Sequence, residues 1–190
     1  VTQALTEYES LLTTHPNDAA SLVGAAVASI ELLQADKAEK YLKLATDQGS
    51  SDPHAWFTLG RLREAQAKTD EAAEAYQNAL SIKPDYHEAA LKLAIIKRQQ
   101  GEPETAEKLY RTILYHTPRY SLARYNLGVV LAAMDRDSEA AVEYVQVLEQ
   151  DPDNQKARLN LAVIRRAQGR LQEAKTLLEN GLAQDPSNVS

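Results

Sequence analysis

The sequence predicts an all-α fold in which pairs of antiparallel helices follow one another along the chain. Three periodic columns of residues, each read at a spacing of 34, predict it. Prolines with gaps of 68, 34, 34 and 34 are Pro16, Pro84, Pro118, Pro152 and Pro186. Alanines at an unbroken spacing of 34 are Ala4, Ala38, Ala72, Ala106, Ala140 and Ala174. A bulky residue follows each alanine by four, at Tyr8, Leu42, Tyr76, Tyr110, Tyr144 and Leu178.

The period divides the chain into units that each start after a Pro-x-x turn. It predicts five tandem repeats in a single solenoid domain (19–188), at 19–52, 53–86, 87–120, 121–154 and 155–188. Residues 1–18 are predicted to be the second helix of a truncated repeat. The 53–86 unit is the clearest, with Trp56, Leu59, Gly60, Ala72 and Tyr76 in register.

This pattern resembles the tetratricopeptide repeat, which has a 34-residue period and a W-x2-L-G motif. The resemblance covers the whole chain and implies a right-handed superhelical solenoid of antiparallel helix pairs. In each pair the first helix (the A helix) would line a concave groove, and the second (the B helix) would lie outside. Arg124 and Arg158 depart from the motif at the tryptophan position. We expect their stems to cover the neighbouring repeat while their guanidinium groups reach water.

Each element of the repeat has its own sequence signal. Small residues such as Gly60 and Ala72 let the A and B helices approach closely, and a large ring such as Tyr76 fills the remaining gap. Gly101 and Gly169 are suited to the left-handed turn that ends an A helix. Pro103 fits the first position of a B helix, where a missing N–H is tolerated. The turn residues after the prolines, Asn17, Asp85 and Asp153, favour helix starts.

Composition excludes several classes of function. The 190 residues carry a net charge of −6, which argues against a nucleic-acid partner. No apolar run approaches the roughly 18 residues needed to span a bilayer. The chain has no cysteine, so thiolate chemistry and disulfides are excluded. The absence of cysteine suits a reducing or an oxidising compartment, so the location stays open between cytoplasmic and periplasmic or lumenal.

No pattern in the sequence indicates catalysis, a metal or a cofactor. The four histidines fall at different phases of the repeat, and none has a second ligand at helical spacing. No nucleophile-elbow, Walker or dinucleotide-binding glycine pattern occurs. We therefore predict that the chain is not an enzyme.

The candidate site is the groove face of the A helices, where residues two, five, six, nine, twelve and thirteen of each helix share one side. Ten residues on this face are predicted to bind a partner: Phe57, Arg61, Lys92, Arg98, Tyr125, Asn126, Val129, Lys156, Asn160 and Arg166. The last three repeats carry four bases against one acid on this face. The prediction is therefore a groove whose C-terminal half favours an acidic side chain or a carboxylate.

Two comparisons within the family refine this prediction. Asn126 and Asn160 occupy the same position in successive repeats, similar to the asparagine ladder with which some members hold a peptide backbone. Asn126 and Lys156 also match two of the five positions of the carboxylate clamp in chaperone-binding members. Leu91, Ile95 and Asn160 depart from that clamp, which argues against chaperone C-termini as the ligand.

The predicted function is a protein-interaction scaffold or adaptor that holds an extended peptide or partner segment in the concave groove. The alternative is a regulatory or substrate-recruiting domain of a larger enzyme, because the chain starts inside a repeat and we expect it to be a piece of a longer protein. A third interpretation is self-association through exposed terminal helices. Its basis is an apolar stripe on the last helix, formed by Leu171, Ala174, Leu177, Leu178 and Leu182.

Overall fold

A computed structural model describes the backbone of residues 1–47 and 51–184 and the side chains of residues 1–47 and 51–181. Within these ranges the chain forms eleven α-helices and no strand, which confirms the all-α prediction. The helices are α1 (Thr2–Thr14), α2 (Ala19–Glu31), α3 (Ala35–Asp47), α4 (Pro53–Ala65), α5 (Thr69–Ile82), α6 (His87–Gln99), α7 (Pro103–His116), α8 (Ser121–Ala133), α9 (Asp137–Gln150), α10 (Gln155–Ala167) and α11 (Leu171–Gln184).

The A helices follow the period of the sequence. They are α2, α4, α6, α8 and α10, and they begin at Ala19, Pro53, His87, Ser121 and Gln155. These starts coincide with the predicted starts of the repeats. The division into five repeats of one domain stays a prediction, and its residues 48–50 and 185–188, as well as the side chain of Leu182, lie outside the described residues.

The helices group into two compact units, residues 1–96 and residues 97–190, and α6 contains the division between them. In the first unit, small residues of α2 and α3 pack against leucines of their own and neighbouring helices. One cluster joins Ala26, Ala38, Leu42 and Leu62. A second centres on Leu5 and Ala25, and a third on Leu22 and Ala45.

The core of the second unit repeats the same scheme with larger side chains. Its fully buried members include Tyr110 and Ile113 of α7, Leu127 and Leu131 of α8, and Tyr144 and Val147 of α9. Each such side chain stabilises the fold by about 1.5–3 kcal/mol relative to leaving it in water. The periodic alanines are buried too, at Ala38, Ala72, Ala106, Ala140 and Ala174.

The predicted close approach of the A and B helices is present where glycine occupies the A helix. A Cβ added to Gly60 would lie 2.5 Å from the ring of Tyr76, and one added to Gly128 would lie 2.7 Å from the ring of Tyr144. Such distances are well inside van der Waals contact, so each tyrosine ring rests on bare backbone. Both rings are therefore fixed in position.

The turn between an A helix and its B helix uses a left-handed residue at every repeat. Gly101 and Gly169 have φ values of 77° and 75°, which confirms the prediction for them. The same position is held by Leu33, Ala67 and Asp135, with φ values of 60°, 57° and 58°. A left-handed conformation brings the Cβ of such a residue close to a backbone oxygen, so three turns contain a strained residue.

Helix starts are capped by polar side chains. Asp18, Asp52 and Asn154 accept hydrogen bonds from backbone N–H groups in the first turns of α2, α4 and α10. Pro103 begins α7, as predicted. Asn17 and Asp153, expected to favour helix starts, lie in the preceding turns, and the next residue along the chain provides the cap.

The expectation that the guanidinium groups of Arg124 and Arg158 reach water is wrong. Arg124 donates to the carbonyl of Pro118 at 2.6 Å and pairs with Glu143 at 2.7 Å. Arg158 is buried and donates to the carbonyl of Pro152. Each arginine therefore folds back to the turn six residues earlier, where it satisfies a carbonyl that no helix hydrogen bond uses.

Candidate functional site

In the first unit, the candidate residue Phe57 is packed among other aromatic rings. Its ring centroid lies 5.6 Å from that of Tyr76 and 5.0 Å from that of Tyr86, and both pairs are tilted. Tyr86 also hydrogen-bonds His54 at 2.9 Å. Phe57 is half-buried and forms part of the aromatic packing.

The charged candidates of the first unit differ in how they are paired. Lys92 forms an ion pair of 3.0 Å with Glu64, and the same carboxylate oxygen accepts the hydrogen bond of the Tyr76 hydroxyl. Arg61 is exposed and makes no hydrogen bond or ion pair among the described residues, and its charge opposes the rise that burial causes in the pKa values of Tyr76 and Tyr86. The positive charge predicted at Lys92 is thus already neutralised by Glu64.

Burial and the Glu64 carboxylate together raise the pKa of Tyr76 far above its usual value. Burial is the larger cause, because a phenolate loses hydration inside the protein. The negative charge of Glu64 adds to it through the hydrogen bond and through space. Tyr76 therefore remains a neutral donor, bound to a group of its own unit.

In the second unit, Arg98 lies at the end of α6 beside the hydroxyl of Tyr110. Burial raises the pKa of Tyr110 to about 12, and the nearby Arg98 charge works in the opposite direction. The Arg98 Nε atom and the Tyr110 hydroxyl are both buried and have no hydrogen-bond partner with good geometry among the described residues. Arg98 therefore covers this tyrosine rather than extending freely from α6.

Two candidate residues, Tyr125 of α8 and Asn160 of α10, form a polar group around Tyr144. The Asn160 Nδ2 atom donates to the Tyr144 hydroxyl at 3.2 Å and approaches the Tyr125 hydroxyl at 3.4 Å. The Tyr125 and Tyr144 ring centroids are 5.9 Å apart. Asn126 instead donates to the carbonyl of Leu122 in its own helix at 2.8 Å. The two asparagines thus share a repeat position but have different partners.

A pocket of about 340 Å³ opens above Tyr144. It lies among the helices of one unit, and its lining includes Val129 and Ala132 from α8, Asp137 and Tyr144 from α9, and Asn160 and Val163 from α10. Burial raises the pKa of Tyr144 to about 12, Asn160 opposes this shift, and the Asp137 charge adds to it. The pocket therefore combines apolar walls with a hydroxyl, an amide and a carboxylate.

The pocket has a simple origin in the sequence. We define the covering position as the A-helix residue that lies four positions after the small residue equivalent to Gly60. Its occupants in the five repeats are Ile30, Glu64, Arg98, Ala132 and Arg166. Glu64 bonds the Tyr76 hydroxyl, and Arg98 lies beside that of Tyr110. Ala132 is too short to do either for Tyr144. Sequence reasoning missed this pocket, although the column of covering residues carries the signal.

The exposed face of α10 carries apolar side chains between two cations. Leu159 and Val163 are 54% and 49% exposed. Lys156 and Arg166 are also exposed and make no hydrogen bond or ion pair within the described part of the chain. Ten residues of helix separate the two cations by about 15 Å.

Of the ten predicted residues, the structure thus brings together Tyr125, Val129 and Asn160, and Lys156 and Arg166 lie with Asn160 on α10. Asn126 lies on α8 as well, bonded to its own helix. Phe57, Arg61 and Lys92 belong to the first unit and are described there alone, and Arg98 lies beside Tyr110 at the end of α6. The described residues contain no group of three or more side chains able to hold a metal ion. No helix in the described ranges is both long and apolar enough to cross a membrane.

Paired helices with a 34-residue period, a tyrosine ring on a glycine and a left-handed turn define a helical-repeat protein. Sequence models of the tetratricopeptide repeat match residues 30–87, 64–127 and 131–190. The chain belongs to the tetratricopeptide repeat family, and this membership supports a role as a protein-interaction scaffold. No curated protein sequence matches the chain.

Solved structures of low sequence identity share the fold. The crystal structure of YrrB, described as a TPR protein with an unusual peptide-binding site, is 19% identical and has a TM-score of 0.85, over 95% of this chain and 93% of that one. A crystal structure of MamA is 17% identical, with a TM-score of 0.79, over 85% and 94% of the two chains. MamA from Desulfovibrio magneticus is 16% identical, with a TM-score of 0.79, over 91% and 98%. At these identities the likeness shows the fold class, which is the predicted one.

Proposed function

We propose that this chain binds an extended segment of a partner protein across the A helices of the second unit, chiefly along α8 and α10. The observation that carries the proposal is the α10 face, where Leu159 and Val163 are exposed between Lys156 and Arg166, two cations without an ion-pair partner in the part of the chain that the structure describes. Exposed apolar side chains next to a pocket are typical of a binding surface. The family and the peptide-binding site named for YrrB support the same class of function.

The chemistry of this face favours a segment that carries apolar residues and at least one acidic group. Apolar side chains of the ligand would cover Leu159 and Val163, which gains free energy in proportion to the area removed from water. Among the described residues no carboxylate pairs with Lys156 or Arg166, so an acidic side chain or a C-terminal carboxylate of the ligand would pair with either one. The Oδ1 atoms of Asn126 and Asn160 would accept hydrogen bonds from the backbone of the ligand.

The remaining candidates contribute less under this proposal. Lys92 would have to exchange Glu64 for a carboxylate of the ligand, with little net gain. Arg61 keeps an available charge, and Phe57 offers a half-buried ring. Tyr125 helps to hold Asn160 in place through the 3.4 Å contact. These roles, like the groove as a whole, stay predictions.

A random peptide library displayed on phage tests the proposal. We expect selection on the chain to enrich peptides that combine apolar and acidic residues. The double variant Lys156→Glu/Arg166→Glu should bind the enriched peptides about tenfold or more weakly, because two attractive contacts become repulsive. The matched control is Lys108→Glu/Arg119→Glu, which changes the charge of the same unit equally at two exposed residues outside this face.

Two outcomes would contradict the proposal. One is the recovery of no peptide above background. The other is an equal loss of affinity in the control variant, since that would assign the effect to total charge rather than to the face of α10. Isothermal titration calorimetry of one synthetic peptide from the selected pool gives the affinities for this comparison.

Self-association is a second candidate, favoured by α11. Leu171 and Leu178 are 64% and 44% exposed on this helix. The double variant Leu171→Lys/Leu178→Lys should shift any concentration-dependent dimer to monomer in sedimentation velocity. A wild-type chain that stays monomeric at high concentration would remove this candidate.

The predictions that the chain catalyses no reaction and that it regulates or recruits substrates for a larger enzyme have no test in the structure. The complete open reading frame decides the second. A catalytic domain next to the repeats would support it, and further repeats alone would contradict it.

A further inference from the structure

We infer that the pocket above Tyr144 is a specificity site for a lysine or arginine side chain of the bound segment. This inference rests on the proposed function and adds the chemical class of one anchoring residue. It assigns a basic residue to a ligand whose other contacts, at Lys156 and Arg166, favour acidic groups. The bound segment would therefore carry charges of both signs in a fixed order.

The walls of the pocket suit an aliphatic stem. Val129 and Val163 face it from α8 and α10, and the covering position holds only the methyl group of Ala132. The methylene groups of a lysine or arginine would lie against these side chains and leave water, as long basic side chains commonly do. A fully apolar ligand side chain would fill the walls equally well, so the walls alone do not determine the ligand.

The polar end of the pocket distinguishes a cation from other groups. The Asp137 carboxylate lines it, and Asp137 makes no hydrogen bond or ion pair among the residues that the structure describes. The amide of Asn160 points its Nδ2 atom at Tyr144 and Tyr125, which leaves Oδ1 as an acceptor. An amine or guanidinium group of the ligand has only donors, so it complements the carboxylate and the amide oxygen together.

The comparison with the first unit supports this assignment. There, the carboxylate next to the tyrosine is Glu64, and a basic side chain of the same unit, Lys92, pairs with it at 3.0 Å. Lys92 belongs to the repeat that follows Tyr76. In the repeat that follows Tyr144, the same position is held by Asn160, which carries no charge. Asp137 stands at a different repeat position from Glu64, and no basic side chain of the described residues pairs with its carboxylate, whereas Lys92 pairs with Glu64.

Titration with capped amino acids tests the pocket without any longer ligand. The probes are Nα-acetyl-lysine methylamide and the equally capped norleucine and glutamate, added to ¹⁵N-labelled protein. We expect the lysine probe to give saturable shifts confined to α8, α9 and α10, with an affinity roughly fivefold above norleucine. Glutamate should bind more weakly than either.

Three variants locate the effect. Asp137→Asn should bring the lysine probe down to the affinity of norleucine, and Ala132→Leu should abolish the shifts of both by filling the pocket. Ala133→Leu adds the same side chain at an exposed neighbour on α8 and should change neither. If Ala132→Leu unfolds the chain, which circular dichroism reveals, Asp137→Asn still decides the result.

Equal binding of lysine and norleucine, or no saturable shift with lysine, would overturn the inference. The peptide selection separates it from the proposed function. Selected peptides without any lysine or arginine at a constant place, and with affinities unchanged in Asp137→Asn, would overturn the pocket and leave the proposed function standing. Saturable binding of the lysine probe together with a peptide selection that yields no peptide would overturn the proposed function and leave the pocket as a site for a basic side chain.

Discussion

The A-helix face of the first unit is closed by its own side chains, whereas that of the second unit is open. In the first unit Glu64 binds the Tyr76 hydroxyl and Lys92, and Phe57 packs on two rings. In the second unit Tyr144 lies at a pocket, and exposed apolar side chains of α10 stand between two cations that pair with no described residue. The backbone pattern is the same in both, so the difference comes from a few side chains.

The comparison shows that the residues that stabilise the fold and the residues that form the site occupy different positions of the repeat. The tyrosine ring and the glycine beneath it are shared by the two units and belong to the core. The covering position decides whether the hydroxyl of that ring lies beside a long side chain of the A helix, as at Tyr76 and Tyr110, or beside a pocket, as at Tyr144. Four predictions test this separation.

The largest effect is expected from removing the rings. Tyr76→Ala and Tyr144→Ala should each lower the free energy of unfolding by about 3–5 kcal/mol, because both rings are buried and each would leave a cavity. The two losses of stability should be similar, since the two rings pack on glycines at equivalent positions of their repeats. Urea unfolding followed by circular dichroism measures them, and a loss near zero for either ring would contradict a shared structural role.

Alkaline titration separates the two hydroxyls. The folded-state pKa of Tyr144 is about 12, and that of Tyr76 is higher still because of Glu64. Both exceed the unfolded value near 10, so their contribution to stability is complete below pH about 10 and disappears as the pH rises through the folded pKa. Tyr144→Phe should therefore reduce the fall of stability above pH 10 by about 1.4 kcal/mol per pH unit.

The NMR signal of ¹³Cζ-labelled tyrosine assigns these changes to single residues. Glu64→Gln should lower the pKa of Tyr76 and leave that of Tyr144 unchanged. A common shift of both tyrosines in this variant would contradict the independence of the two environments.

Removing only the hydroxyl should distinguish the closed face from the open one. Tyr76→Phe loses a hydrogen bond to a charged carboxylate and should cost about 1.5–3 kcal/mol, whereas Tyr144→Phe loses a neutral bond to Asn160 and should cost about 0.5–1.5 kcal/mol. Tyr115→Phe, at an exposed tyrosine of α7, is the control. Thermal unfolding monitored by calorimetry gives the three values, and equal losses for Tyr76 and Tyr144 would argue against the difference in partners.

The smallest effects are expected at the left-handed turns. Leu33→Gly in the first unit and Asp135→Gly in the second should each stabilise the chain by about 0.5–1 kcal/mol, because glycine removes the left-handed strain but adds freedom to the unfolded chain. Gly101→Ala should have the opposite sign. None of these turn residues is proposed to contact the peptide, so peptide affinity should stay constant. A change in affinity would link the turns to the site.

Much of the fold follows from residue spacing. The period predicts the starts of all the A helices, because proline turns and buried alanines repeat with the helix pairs. The left-handed turns are predicted only at Gly101 and Gly169, because the residue types at the other three turns, leucine, alanine and aspartate, do not by themselves indicate that conformation. The paths of Arg124 and Arg158 could not be predicted, because a long side chain can reach either water or a nearby carbonyl.

The site follows from the sequence less completely. Helical spacing places Lys156, Asn160 and Arg166 on one face, but it does not tell a paired cation from an unpaired one. The pairing of Lys92 with Glu64 depends on two repeats at once and needs the coordinates. The pocket could have been found by comparing the covering residues, where Ala132 is the short one among long side chains.

The short side chain of Ala132 has a consequence for how such chains change function. The pocket depends on the residue at the covering position, which the core does not need. One substitution there can therefore open or fill a binding pocket in a single helix pair. Truncating Glu64, for example, would uncover Tyr76 and release Lys92 without touching the glycine contact below. Arrays built this way can relocate a binding site by one pair of helices while every backbone hydrogen bond stays where it was.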